Sequence, residues 1–124
     1  LAVAQNRPVF VLVNAERVAL CFTSACDSAA SRVVPPTGSN SGSKETLANC
    51  ASHTDWLCEG RPASVTLPGG AAIGGFYFDA LGKPYGLNDV FPAASTFPAQ
   101  LLIAIQGDGS PRSVTVEGET GYVY

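Results

Sequence analysis

The chain has no methionine, a single histidine (His53) and a single tryptophan (Trp56), and only 14% of its 124 residues are charged. Acid–base and nucleophilic catalysis need titratable groups that converge, and so sparse a supply argues against an enzyme. Positive charge is also scarce. Seven Lys and Arg stand against ten Asp and Glu, for a net charge of -3. The basic residues, from Arg7 to Arg112, are scattered singly, and after Gln100 only Arg112 opposes Asp108, Glu117 and Glu119. Phosphate backbones are bound by clustered Lys and Arg, so no nucleic-acid partner is expected. Apolar runs are short. The longest, Val9 to Val13 and Leu101 to Ile105, are strand-sized, far below the ~18–20 residues that span a bilayer. Neither an internal repeat nor a signal-peptide pattern is present, and the sequence opens on Leu1. That start is read as a processed or trimmed fragment.

What is present fits a folded domain. A hydrophobic content of 46% rules out disorder, and a chain of this size buries roughly two thirds of its unfolded surface. One domain over residues 1–124 is expected. Four cysteines at 21, 26, 50 and 58 suit two disulfides in an oxidising compartment. Their C-x4-C and C-x7-C spacings lack the tight knuckles of a zinc site. Three pairings are possible. Chain entropy gives about 2.2 and 2.6 kcal/mol for Cys21–Cys26 and Cys50–Cys58, against about 3.9 for a Cys21–Cys58 bridge alone. Energy does not decide between them, and loop proximity favours the neighbours.

Good helix formers run from Leu1 to Asn6, and Arg7-Pro8 ends any helix there. Val9–Val13 and Arg17–Phe22 read as a hairpin around Asn14-Ala15-Glu16. From Thr23 to Pro62 periodicity is lost, and Pro35 to Ser43 is a low-complexity loop. A helical turn is expected within Lys44 to Cys58, with Ser52-His-Thr-Asp55 as a weak cap pattern. Strands resume at Ala63–Leu67 and Gly74–Asp79, separated by Pro68-Gly69-Gly70. A tight turn at Ala80–Pro84 leads into an irregular connector from Tyr85 to Ala99. Gln100–Gln106 and Ser113–Val116 form a second hairpin, and Tyr122–Tyr124 an edge strand. Val114 and Val116 are expected inward, Ser113 and Thr115 outward. The fold class is therefore α+β: a helix end on antiparallel sheet, mostly β, with a long disulfide-stapled loop.

Candidate chemistry is thin. His53 and Asp55 resemble half of a hydrolytic triad, but no G-x-S-x-G accompanies them. Asp79 with Asp89, or Glu117 with Glu119, are carboxylate pairs that read as turn residues. Gly107-Asp108-Gly109 matches a fragment of a calcium loop without its other oxygen ligands. Gly69-Gly70 and Gly74-Gly75 lack phosphate-loop spacing. Trp56, beside Cys58, is expected to pack over a disulfide. No catalytic residue, cofactor or metal is assigned.

Three segments in this order do resemble a known family. A helix end at Leu1-Ala-Val-Ala-Gln-Asn-Arg-Pro-Val9 runs into a hairpin returning through Val18-Ala-Leu-Cys21. Phe78-Asp-Ala-Leu-Gly82-Lys-Pro84 lies mid-chain, and Glu119-Thr-Gly-Tyr-Val123 closes the sequence. The layout is similar to the globular region of type IV pilin-like proteins of the H-type pseudopilin and FimT class. There, Phe78-x-x-x-Gly82 corresponds to a central strand-to-turn motif and Gly121-x-Val123 to the terminal strand. The resemblance implies a minor pilin or pseudopilin that helps assemble, prime or tip a type IV pilus or type II secretion pseudopilus. Its partners would be other pilin or pseudopilin subunits, and an N-terminal helix missing here would hold it in the inner membrane, facing the periplasm. The prepilin signature itself is absent, and the Cys21–Cys58 excursion is longer than in many members. Some FimT-like relatives bind DNA through a basic C-terminal region, which this acidic C-terminus does not match. A second reading is a secreted β-sandwich that binds carbohydrate through Trp56 and the terminal tyrosines.

Overall fold

The computed structural model describes residues 1–90, 92–107 and 109–124. Helix α1 (Ala2–Gln5) is closed by Asn6, whose left-handed φ of 51° lets its N–H reach back into the turn, and Pro8 prevents continuation. Strands β1 (Val9–Val13) and β2 (Arg17–Cys21) form the expected hairpin. Asn14 sets its turn, because its side-chain oxygen accepts the N–H groups of Glu16 and Arg17 at 2.8 and 2.9 Å, as short polar side chains do at turns.

Two antiparallel sheets result. The first has the order β3-β2-β1-β5-β6, with β3 at Cys58–Gly60, β5 at Gly74–Phe78 and β6 at Pro84–Gly86. The second is β4-β7-β8, with β4 at Val65–Thr66, β7 at Gln100–Gly107 and β8 at Ser110–Glu117. Both sheets are antiparallel and the secondary structure is mostly β, as the sequence leads one to expect, and the described residues include three short α-helices. Tyr122–Tyr124 lies against β8, with Val123 opposite Val116. Three backbone bonds of 2.6–3.0 Å tie Thr115 to Tyr124 and Glu117 to Tyr122.

Alternation along β1 supplies both faces of the first sheet with apolar side chains. Registers place Val9, Val11, Leu20, Phe76 and Phe78 on one face, and Phe10, Leu12, Ala19, Cys21 and Cys58 on the other. The first face is covered by α1 and by Val33 and Leu57 from the excursion, with Ala2, Val9 and Val33 in one buried cluster. The second is covered by the excursion, where Trp56 clusters with Ala19, Cys21, Cys50 and Cys58. Disulfides join Cys21 to Cys26 and Cys50 to Cys58, which places the chain in an oxidising compartment.

The excursion is more ordered than its periodicity suggests. It holds a 3-10 turn at Ala29–Ser31, helix α2 (Lys44–Asn49) and the strand β3. Ser43 caps α2 by accepting the Thr46 N–H at 3.1 Å, so the expected Ser52–Asp55 cap is not used. Fully buried Thr46 is the pin. Its hydroxyl donates to Glu59 and accepts from the Gly60 N–H, both at 3.1 Å. Two other expectations change. Helix α3 (Gly70–Ile73) occupies what reads as glycine punctuation. Thr115 is only 7% exposed, because the terminal segment hydrogen-bonds along β8 and covers it.

Removing the Cys50–Cys58 bridge by a double alanine substitution is expected to cost about 3 kcal/mol in urea unfolding. Thr46→Val, nearly isosteric, strips the partner from a buried N–H and should cost about 1–3 kcal/mol. Thr46→Ser should recover most of that loss in the same assay.

Candidate interaction surface

Phe78 ends β5 and Asp79 turns the chain. The Asp79 carboxylate accepts the N–H groups of Leu81 and Lys83 at 3.0 and 2.9 Å. Gly82 sits at φ 87° and Gly121 at φ 70°, a region that L side chains rarely adopt. The two glycines meet: a Cβ on Gly121 would collide with the Gly82 carbonyl oxygen and touch the Phe78 ring. Phe78, Gly121 and Val123 then line one apolar cavity of about 230 Å³ together with Leu1, Val3 and Leu20. The four residues singled out from the mid-chain and terminal motifs are therefore neighbours in space.

Around this cavity the surface is greasy. Val3 is 61% and Leu81 89% exposed, and Leu1 and Val123 are also more than half exposed. A position on Gly82 lies 3.1 Å from a Val3 methyl, so α1 and the Asp79–Lys83 turn form one patch. Scattered surface leucines are ordinary, but a contiguous apolar patch marks an interaction site.

The titratable candidates do not converge. His53 lies in the turn after α2, and its imidazole makes no hydrogen bond to Asp55 or to any hydroxyl among the described residues. Asp79 and Asp89 each staple a loop. The Asp89 carboxylate accepts the Gly86 and Thr96 N–H groups, both at 2.7 Å, and these bonds, the Thr96 amide foremost, hold its pKa below the usual carboxylate range. Glu117 accepts the Tyr124 hydroxyl at 2.6 Å and the Gln100 amide at 3.0 Å, which lowers its pKa, the tyrosine contributing most. Glu119 points to solvent. Asp108, of the calcium-loop fragment, lies outside the described residues. Among the described residues no three His, Cys, Asp or Glu side chains group to hold a metal ion.

Trp56 is 4% exposed, packs among the half-cystines, and donates its indole N–H to the Leu20 carbonyl at 3.0 Å. It is unavailable as a sugar platform. Tyr85 stacks on Tyr77 with centroids 5.3 Å apart, in a row that Phe10 continues at 4.9 Å. Tyr122 and Tyr124 remain open to solvent. The meeting of Gly82 with Gly121 was invisible to local reading, since it joins residues 39 apart in sequence through a backbone contact alone. No family model matches the chain, and neither does any curated protein or solved structure.

Gly121→Ala should destabilise the domain by about 2 kcal/mol or more, from the positive φ and the collision with Gly82, read by thermal melting. The Glu117 contribution is complete above the ordinary carboxylate range of roughly 4 and is lost as pH falls through the lowered folded-state pKa. Tyr124 resonances are expected to show this acid step, and Glu117→Gln to abolish it.

Proposed function

We propose that this chain is the globular headgroup of a minor pilin or pseudopilin of the H-type pseudopilin and FimT class. In that role it takes part in the assembly, priming or tip of a type IV pilus or a type II secretion pseudopilus. It works in the bacterial envelope, anchored in the inner membrane and facing the periplasm, or extracellular within a filament. The observation that carries this reading is the apolar patch formed where α1 meets the Asp79–Lys83 turn and the terminal segment. Helix α1 buries Ala2 against the sheet and leaves Leu1 and Val3 bare around the cavity they share with Val123, and Gly82, next to exposed Leu81, approaches Val3. A subunit that packs helix against helix in a filament needs a helix rigidly seated on its sheet and an apolar border beside it. Buried against neighbouring subunits, that border contributes about 25 cal/mol per Å² of apolar area. The two disulfides support an envelope setting.

The test is Val3→Glu combined with Leu81→Glu. Both positions are exposed, so the melting temperature of the isolated domain is expected to stay close to that of the parent. Co-purification with envelope filaments should be lost. Normal filament assembly and unchanged recovery of the double variant in filament fractions would overturn the reading.

A further inference from the structure

The edges of the two sheets are treated unequally. On β6, the Ser95 hydroxyl donates to the Pro84 carbonyl at 2.8 Å and the Asp89 carboxylate takes the Gly86 N–H. On β3, the Thr46 hydroxyl takes the Gly60 N–H. On β8, the terminal segment takes Thr115 and Glu117, and farther along Pro111 has no N–H to offer. Such devices blunt edges against stray pairing. The outer edge of β7 has none. Strand β4 pairs only with Gln106 and Gly107, and the alternation set by the β8 register turns the backbone groups of Leu102 and Ala104 to the same side. Those four groups have no hydrogen-bond partner among the described residues.

Beyond Thr66 the chain leaves this edge and re-forms as α3. Ala72 and Ile73 of α3, with Phe76, Phe97, Pro98 and Leu101, line a cleft of about 270 Å³; its described lining residues are uncharged, and the Asp89 carboxylate stands at the rim, hydrogen-bonded to the lining residues Gly86 and Thr96. Phe76 and Phe97 fix its floor edge to face, with centroids 5.3 Å apart. An open strand edge and an apolar cleft side by side are the two halves of a strand-addition site: backbone bonds supply affinity, and a pocket selects alternate side chains.

We propose that the Leu102–Ala104 edge of β7 and the α3 cleft beside it bind an extended, uncharged peptide segment of a partner protein, which joins the second sheet as an added strand. Charge matching selects this occupant. An acidic side chain entering the cleft would lose its hydration and face the Asp89 carboxylate, and a basic one would lose its hydration to meet a carboxylate already bonded to Gly86 and Thr96. This site is separate from the patch at α1 and does not rest on the filament reading.

The probe is the capped pentapeptide acetyl-Thr-Ile-Ser-Ile-Thr-amide, which matches no segment of this chain, titrated into the isotope-labelled chain and followed by amide NMR. The Leu102 and Ala104 amides should exchange freely without peptide and slow about tenfold or more with it, while Ile73 and Phe97 shift. Ala72→Phe, at an exposed position, fills the cleft and should weaken binding about tenfold. N-methylation of the peptide at alternate residues should abolish binding in one phase and spare it in the other. Leu102 and Ala104 amides already protected without peptide would overturn the proposal. So would shifts that map elsewhere or are absent, equal tolerance of both methylation phases, or protection that appears with protein concentration alone, the mark of self-pairing.

Discussion

The structure depends on one constraint: β1 is apolar at every position, and strand geometry sends alternate side chains to opposite faces. A central strand of that kind cannot leave either side of its sheet in water. The fold answers with two unlike covers. On one face lie α1 and the terminal strand region, drawn from the two ends of the chain. On the other lies most of the excursion between β2 and β3, held by its half-cystines, while its Val33 and Leu57 wrap back onto the first face. Cys21, Cys50 and Cys58 are themselves core residues on that face, so the bridges pack as well as tether.

The elements with strong periodicity were legible in the sequence. The β1–β2 and β7–β8 hairpins, β5 and the end of α1 follow from alternation, turn residues and Pro8. The short pieces were not. Strand β3 has three residues, and its place is fixed by Thr46, a contact from a helix 14 residues away. Strand β6 begins at Pro84, which reads as a turn residue. It is tolerated because β6 is an edge strand whose proline has no N–H to donate. Helix α3 is a single turn, Gly-Ala-Ala-Ile between Gly69 and Gly74, too short for helix periodicity or propensity to announce it. The floor of its cleft comes from Phe76 and Phe97, which are 21 residues apart in sequence and meet edge to face.

The interaction surfaces followed the same division. Phe78, Gly82, Gly121 and Val123 were singled out from two separate motifs, and the geometry that unites them is a backbone contact between residues with left-handed φ. Alternation along Ser113–Val116 puts Thr115 toward solvent, yet it is buried where the terminal segment pairs along β8. The terminal strand and the open β7 edge thus show one sheet in two conditions, closed on one side by the molecule itself and unclosed on the other.

Both disulfides span short stretches, with sequence separations of 5 and 8, and closing so short a loop costs little entropy. A polypeptide emerging amino-terminus first into an oxidising space would offer Cys21 only one companion, Cys26, until many more residues had followed. Correct connectivity can then arise from order of arrival, with little need for thiol reshuffling before the later strands dock.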